Sequence, residues 1–366
     1  MSITIPKKMS GVLLTGHGGF EKLEYRTDIN VPKLEANEVL IKVGGAAVNN
    51  TDINTRIGWY SKKVKEDTNT GGVKGFDSVD DEDASWSGIP LQFPRIQGAD
   101  VAGTIVAVGS EVSTNRIGER VLVRTIQERP LSEHGLSCIT FGSECDGGFA
   151  EYTKTPADEA FTINSFLTDI ELASFPCAYS TAENMICRVG VKEGDVVLIP
   201  GSSGGVGSAA LQLVKIRGAK IIAICEANKV NSIKELGADK ILVRSENITE
   251  ALGHMTVDVV LDMVAGPLFS DYMNVLKKGG KYGTVGAIAG PLVELDVRTL
   301  YLKDLSFFGS TFQPKDVFRN LIRYIEEGKL VPMVAKTYPL KNIKEAQEAF
   351  LAKQFVGKLV LDPAQP

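Results

Sequence analysis

The chain has 366 residues, of which 43% are hydrophobic and 37 are glycine, which is more than one compact core usually holds. We therefore expect two domains. The formal net charge of −5, without a Lys/Arg-rich block, argues against nucleic acid or an anionic membrane surface as a partner and favours a small-molecule substrate. Long apolar runs are missing and the five cysteines form no C-x-x-C pair, so we expect a cytoplasmic protein with reduced thiols.

The pattern of secondary structure changes along the chain. The first 160 residues contain short runs such as "VLIKVGGAAV" and "AGTIVAVGSEV", which predict a mainly β domain. After Asp169, strands such as "DVVLIP", "KIIAIC" and "VDVVLDMV" alternate with helical patterns, which predicts an α/β domain with a doubly wound parallel sheet. The tail holds two helical patterns and a last strand, "GKLVLD", and it could return to complete the first domain.

The strongest local motif is "VVLIPGSSGGVGSAALQLVK", in which an apolar strand runs through a glycine-rich turn directly into a helix. This context is typical of a dinucleotide site, because the glycines let the backbone approach a pyrophosphate and the helix N-terminus offers free N–H groups. The first position of the G-x-G-x-x-G pattern is Ser202. The candidate binding residues after it are Gly204, Gly205, Val206 and Gly207. A glycine turn without a ligand is the alternative interpretation.

Cofactor choice depends on the end of the next strand, "IIAICEANK". Glu226 lies about 20 residues after the turn, where a carboxylate binds the ribose hydroxyls of NAD and repels the 2′-phosphate of NADP. Lys229 is close enough to pair with such a phosphate, and Glu226 could also be a solvated loop residue. We predict an NAD(P)H cofactor with a slight preference for NAD(H).

Several segments together resemble the medium-chain dehydrogenase/reductase superfamily, and within it the zinc-free quinone oxidoreductase and enoyl reductase branch. They include "AAVNNTDINTRIGWY", "IQGADVAGTIVAVG", "GGFAEY", "PCAYSTAENM" and "SSGGVG". The resemblance implies a GroES-like catalytic domain (residues 1–160 and 314–366), a Rossmann domain (residues 161–313) and a homodimer. It also implies further cofactor contacts by Thr181, Val206, Gly286, Ser310 and Lys358.

The resemblance also decides how the metal positions are interpreted. The three ligands of the catalytic zinc in zinc-dependent members match Asn49, Ala99 and Cys177, of which only the cysteine is a good zinc ligand. Asp100 lies beside Ala99, the position without a ligand, yet a carboxylate, an amide and one thiolate together bind zinc poorly. We therefore expect no metal. A second conceivable metal site consists of His134, Cys138, Glu144 and Cys145.

Without a Lewis acid, hydride transfer to an acceptor that is already electron-poor, such as a quinone or a conjugated enone, is the reaction we expect. Hydrogen bonds from Asn49, Thr51 and Tyr60 would stabilise charge on the carbonyl oxygen, with Asp52 as an orienting or proton-handling group. Alternatively, Asn49 and Asp52 only fix the loop and Tyr60 is a hydrophobic wall. A zinc alcohol dehydrogenase and a non-catalytic nucleotide-binding relative remain the competing functions.

One segment departs from the family pattern. Residues 61–95 make a longer link than usual after Tyr60, and their charges and glycines predict a loop. Because this insert leaves directly after Tyr60, it either closes over the substrate, with Trp86 as a candidate contact, or is a neutral surface insertion.

Overall fold

The structure is a computed structural model that describes residues 4–132 and 135–365. In those residues the strands are β1 (Lys8–Leu14), β2 (Leu23–Asn30), β3 (Glu38–Ala47), β4 (Arg95–Ile96), β5 (Ala102–Val108), β6 (Arg120–Val123), β7 (Ile126–Ser132), β8 (Gly135–Thr140), β9 (Tyr152–Pro156), β10 (Ala160–Thr162), β11 (Val196–Ile199), β12 (Lys220–Cys225), β13 (Lys240–Val243), β14 (Val257–Asp262), β15 (Leu276–Thr284), β16 (Ser306–Gly309), β17 (Val334–Pro339) and β18 (Lys358–Asp362).

The helices of the same residues are α1 (Asn50–Ile57), α2 (Thr68–Gly71), α3 (Asp169–Leu172), α4 (Pro176–Val189), α5 (Gly205–Ile216), α6 (Val230–Glu235), α7 (Ile248–Leu252), α8 (Phe269–Val275), α9 (Val297–Leu302), α10 (Lys315–Glu326) and α11 (Ile343–Ala352). None of these helices is long and apolar enough to cross a membrane.

The middle of the chain forms a parallel sheet with the strand order β13-β12-β11-β14-β15-β16. The order reverses direction at β11, which has β12 on one side and β14 on the other, and this is the doubly wound Rossmann arrangement. β11 and β12 are almost continuously apolar because both faces of the sheet are covered. The predicted α/β fold class is confirmed, and the sheet gathers the carboxyl ends of its strands at one edge.

The other described strands form mainly antiparallel sheets, with one parallel pair between β17 and β18. The larger sheet has the order β10-β6-β5-β3-β18-β17, with β9 on the other edge of β3. β18 pairs antiparallel with β3 through Val360 and Ala47, so the end of the chain joins a sheet that its first part began. The predicted return of the tail is therefore observed, while the domain boundaries at residues 160/161 and 313/314 stay predictions.

The insert is only partly a loop. Residues 61–95 contain the short helix α2, so the loop prediction is wrong there. The carboxylate of Asp67 caps this helix by accepting the N–H groups of Asn69 and Thr70, a local interaction that favours one helical turn. The buried guanidinium of Arg56 donates to the carbonyl oxygen of Gly72 at 2.7 Å and fixes the C-terminal end of α2 against α1. Trp86 is half-buried.

Candidate active site

The glycine-rich turn joins the end of β11 to the start of α5. Gly204 caps α5 with extended backbone, and no side chain occupies the first N–H groups, which are therefore available to an anion. A Cβ atom on Gly207 would lie 2.3 Å from the carbonyl oxygen of Gly201, so only glycine fits. The Ser202 hydroxyl donates to the carbonyl oxygen of Ile224 at 2.9 Å and faces β12. The turn thus offers backbone donors to a pyrophosphate.

The other predicted cofactor residues lie around the same edge of the sheet. Gly205 and Val206 begin α5, Gly286 follows β15, and Ser310 follows β16. Thr181 lies on α4, which packs across β15 and β16. Because the carboxyl ends of parallel strands share one edge, the positions that follow β11, β15 and β16 lie along the edge where dinucleotide-binding sheets hold their ligand. Their individual roles stay predictions.

One ammonium group, that of Lys229, lies beside the turn at the end of β12. The Lys229 Nζ atom is 3.3 Å from the Ser203 Oγ atom and donates to the carbonyl oxygen of Lys353 at 2.7 Å. Burial, and then the charge of Lys229, lowers the pKa of Lys353 to about 8. Glu226 is half-exposed and pairs with Arg244 at 2.8 Å, which offsets its charge. The local field therefore suits an anion, although Glu226 ends the strand as the sequence predicted.

The first catalytic candidates, Asn49 and Asp52, begin helix α1. The Asp52 carboxylate accepts the N–H of Asn49 at 2.7 Å and the N–H of Gly98 at 3.3 Å. Burial, helped by the charge of the nearby Asp100, raises the pKa of Asp52 to about 7 against these hydrogen bonds. Asp52 therefore orients the backbone around Asn49, which agrees with the simpler of the two roles considered for it.

Tyr60 and Thr51 form a hydroxyl pair. The Thr51 Oγ1 and Tyr60 hydroxyl oxygens are 3.0 Å apart. Removal from water raises the pKa of Tyr60, while hydrogen bonds from Thr51 and Asn54 oppose the rise and the neighbouring Cys177 adds to it. Tyr60 therefore stays protonated at neutral pH and is suited to donate a hydrogen bond rather than to act as a base.

The residues at the catalytic zinc positions form a different network. The Asp100 carboxylate accepts from the Asn49 Nδ2 atom at 2.7 Å, from the Cys177 N–H, and from the Lys358 Nζ atom at 2.9 Å. Lys358 also donates to the Asn49 Oδ1 atom. Desolvation, and then Asp100, raises the pKa of the Cys177 thiol, while Ala99 offers no ligand. These donors do not fit zinc, because the single thiol is held neutral and an ammonium group already neutralises the carboxylate.

The second conceivable metal site is only partly described. His134 lies outside the described residues. Both Glu144 side-chain oxygens accept backbone N–H groups, from Ser87 at 3.0 Å and Thr140 at 2.8 Å. Within residues 4–132 and 135–365, no group of three His, Cys, Asp or Glu side chains is placed to hold a metal.

Two residues of the site were missed in the sequence. Asn54 lies three positions after Thr51 on α1, so the helical spacing could have shown that both face Tyr60. Lys353 follows α11 and meets Lys229 across 124 positions of sequence, for which no local pattern exists.

The comparisons with known proteins agree with this fold and site. Residues 35–165 match the family model for the alcohol dehydrogenase GroES-like domain, and residues 205–327 match the model for zinc-binding dehydrogenases. A solved structure of a candidate alcohol dehydrogenase from Sinorhizobium meliloti is 44% identical, with a TM-score of 0.86, over 98% of this chain and 97% of that one.

Two curated relatives are similar along nearly the whole chain. The quinone oxidoreductase of Sus scrofa is 28% identical over 97% of this chain and 98% of its own length. The chloroplastic NADPH-dependent alkenal/one oxidoreductase of Arabidopsis thaliana is 29% identical over 98% of this chain and 81% of its own length.

A Rossmann sheet with a glycine-rich dinucleotide turn after β11, in a chain that also carries a GroES-like β domain, defines a nucleotide-dependent oxidoreductase. The chain belongs to the medium-chain dehydrogenase/reductase superfamily, in the branch of the quinone oxidoreductases and enone reductases. The recognition made from the sequence motifs is confirmed.

Proposed function

We propose that this enzyme transfers hydride from NADPH to an activated acceptor, a quinone or an α,β-unsaturated carbonyl compound, without catalytic zinc. The observation that carries the proposal is the pair of neutral hydroxyls, Thr51 and Tyr60, 3.0 Å apart next to the Asn49 network. Such a pair can donate to a carbonyl oxygen, yet it lacks the charge needed to make an alkoxide from a simple alcohol. The similarity to a quinone oxidoreductase and an alkenal/one oxidoreductase supports the same acceptor class.

In this mechanism the bound nicotinamide supplies the hydride. The α5 N-terminus and the turn at Gly204 hold the pyrophosphate through backbone N–H groups. Tyr60 donates its hydroxyl hydrogen toward the carbonyl oxygen of the acceptor, where negative charge develops as the β-carbon is reduced. Thr51 holds the Tyr60 hydroxyl in place, and Asp52 holds the Asn49 backbone.

The cofactor we propose is NADP(H), although the sequence analysis predicted a slight preference for NAD(H). Lys229 places an ammonium group 3.3 Å from the Oγ atom of Ser203 in the turn, near where an additional phosphate on the adenosine ribose would lie. Glu226, the residue expected to repel that phosphate, is paired with Arg244. The preference for NAD(H) is not confirmed, and the NADPH dependence named for the Arabidopsis relative supports the opposite choice.

We also propose a cytoplasmic homodimer that acts on a small molecule. β16 is the last strand of its sheet, and Tyr301 and Leu302 on the preceding helix are 60% and 63% exposed, which suits contact with a second copy.

A steady-state screen tests the proposal. NADPH and NADH are each offered with quinones, enals, enones and enoyl thioesters, and NADP+ is offered with saturated alcohols. The purified protein is analysed for metal in parallel. We expect turnover with at least one activated acceptor, preference for NADPH and far less than one equivalent of zinc. Alcohol oxidation that chelators abolish, or binding of nucleotide without turnover of any acceptor, would refute the proposal.

A further inference from the structure

A buried amide on helix α4 holds the segment that follows β16. Asn184 lies three positions after the predicted cofactor residue Thr181, on the same face of the helix, and only 1% of Asn184 is exposed. Its Nδ2 atom donates to the Ser310 hydroxyl oxygen at 2.9 Å and to the carbonyl oxygen of Phe312 at 3.1 Å. Asn184 therefore holds a second predicted cofactor residue, Ser310, by its side chain.

The carbonyl group of Phe312 fixes the orientation of this amide. A carbonyl oxygen accepts hydrogen bonds and never donates them, so the end of the Asn184 side chain that faces Phe312 must be the NH₂ group. An NH₂ group only donates, and the same group contacts Ser310. The Ser310 hydroxyl oxygen is therefore the acceptor in this contact, and its own hydrogen points elsewhere.

The hydrogen of the Ser310 hydroxyl is available to a ligand. Within residues 4–132 and 135–365, the one hydrogen bond of this side chain is the bond that it accepts from Asn184. The Ser310 backbone is fixed separately, because its N–H donates to the carbonyl oxygen of Thr284 at 3.1 Å and continues the pairing of β16 with β15. Asn184 thus controls the direction of the hydroxyl and not the course of the chain.

Ser310 lies on the side of the sheet that suits the nicotinamide half of the cofactor. Lys229 marks the adenosine side, at the end of β12. A doubly wound sheet binds one half of a dinucleotide on each side of the point where the strand order reverses, so the nicotinamide half belongs to β14, β15 and β16. Ser310 directly follows β16. The carboxamide of the nicotinamide ring has an oxygen that accepts hydrogen bonds, which is the partner that a free hydroxyl hydrogen needs.

We propose that Asn184 is a positioning residue: by donating to the Ser310 hydroxyl oxygen, it directs the Ser310 hydrogen to the carboxamide oxygen of the nicotinamide. The inference rests on the proposed function, because it assigns this hydroxyl to the NADPH site. The hydrogen bond holds the carboxamide, and with it the ring, in one orientation. When Asn184 cannot donate, NADPH should bind more weakly, while a ligand without nicotinamide should bind as before.

Three substitutions separate the contacts. Asn184→Asp keeps the shape of the side chain but replaces the donor with a carboxylate, which accepts the Ser310 hydrogen and withdraws it from the ligand. Asn184→Leu also keeps the branched shape, but it only frees the hydroxyl to rotate among three staggered positions. Ser310→Ala removes the hydroxyl. In both Asn184 variants the Phe312 carbonyl keeps the hydrogen bond from Arg188 at 2.9 Å, so the change falls on Ser310.

The Kd values of NADPH and of 2′,5′-ADP, which lacks the nicotinamide half, are measured by titration of each purified variant. We expect Asn184→Asp and Ser310→Ala each to raise the Kd of NADPH about fivefold, the scale of one neutral hydrogen bond. Asn184→Leu should raise it about threefold, because one of three hydroxyl positions is productive. In the Ser310→Ala background, Asn184→Asp should have no further effect. The Kd of 2′,5′-ADP should stay within about twofold throughout.

Gln212→Glu is the matched control for placing an acid at a buried amide. Gln212 lies on α5, and its Nε2 atom donates to the Tyr179 hydroxyl oxygen at 2.8 Å and to the carbonyl oxygen of Val331 at 3.2 Å. Like Asn184, it is a buried amide with two acceptors, but its partners are not predicted cofactor residues. This variant should bind both ligands like the wild type.

Three results would overturn the proposal. Wild-type affinity for NADPH in both Asn184→Asp and Asn184→Leu would show that the amide has no role in binding. An equal loss of affinity for 2′,5′-ADP would show that Asn184 supports the whole site and does not orient one hydroxyl. An undiminished loss in the Ser310→Ala background would show that it does not act through Ser310. A wild type that does not bind NADPH would refute the proposed function and the role of Asn184 with it, whereas binding without turnover would refute the proposed reaction alone.

Discussion

Replacing Tyr60 with phenylalanine removes one hydroxyl and keeps the ring, so it measures the hydrogen bond on which the proposed reaction depends. The loss of one donor to a developing oxyanion typically costs about a hundredfold to a thousandfold in kcat. The structure favours the lower end, because the Thr51 hydroxyl lies 3.0 Å from the one removed and can take over part of its role. We therefore expect kcat to fall about a hundredfold, which corresponds to about 2.7 kcal/mol of transition-state stabilisation.

The assay follows NADPH oxidation under saturating acceptor, and nucleotide affinity is titrated separately by fluorescence. Nucleotide affinity should stay within about twofold of wild type, because the proposed mechanism directs the Tyr60 hydroxyl to the acceptor and not to the glycine turn. Tyr179→Phe is the matched control, since its hydroxyl is also withdrawn from water but donates to the carbonyl oxygen of Val331. If Tyr60→Phe turns over like the wild type, or if both variants lose activity equally, Tyr60 is a packing residue and the reasoning fails.

Three further predictions follow from the charges of the site. Lys229→Met should raise KM for NADPH about tenfold while that for NADH stays constant, as measured by the ratio of catalytic efficiencies. Cys177→Ser should keep most of the activity and resist slow inactivation by reactive enones, and chelators should leave the wild-type rate intact. Because burial raises the Asp52 pKa from 3.8 to about 7, the folded state binds its proton more tightly, so this group's stabilisation declines as pH rises through that interval. Urea titrations from pH 5 to 8 should show a decline in wild type that Asp52→Asn lacks.

Local patterns were sufficient for the fold. The strand, glycine turn and helix from Val196 to Ile216 follow the sequence pattern closely, because each element there has the periodicity and the turn residues that it needs. The helix within the insert could not be predicted from the sequence. Its single helical turn depends on the Asp67 cap and on the Arg56 contact to Gly72, and neither interaction produces a periodic pattern.

The sequence allowed us to predict which residues belong to the polar site, but not which hydrogen bonds join them. Family positions pointed to Asn49, Thr51 and Tyr60, and the structure brings Thr51 and Tyr60 together. The partners of Asn49 could not be derived, because Lys358 reaches it across 309 positions of sequence through the pairing of β18 with β3. Contacts of this kind depend on strand register, which a single sequence does not reveal for distant segments.

The position of Lys358 gives a physical reason why this site suits activated acceptors. Its ammonium group, buried and 2.9 Å from Asp100, balances that carboxylate and adds one positive charge where zinc-dependent relatives would hold a divalent ion. Binding Zn²⁺ there would require displacing the ammonium and ionising the Cys177 thiol, whose pKa desolvation already raises. Because Lys358 and Asp100 neutralise each other, neutral hydroxyl groups are the donors that remain to polarise the carbonyl group of the substrate. These donors stabilise an enolate or a reduced quinone far more readily than they promote alkoxide formation from an alcohol, so the acceptor must bring its own electron-poor carbon.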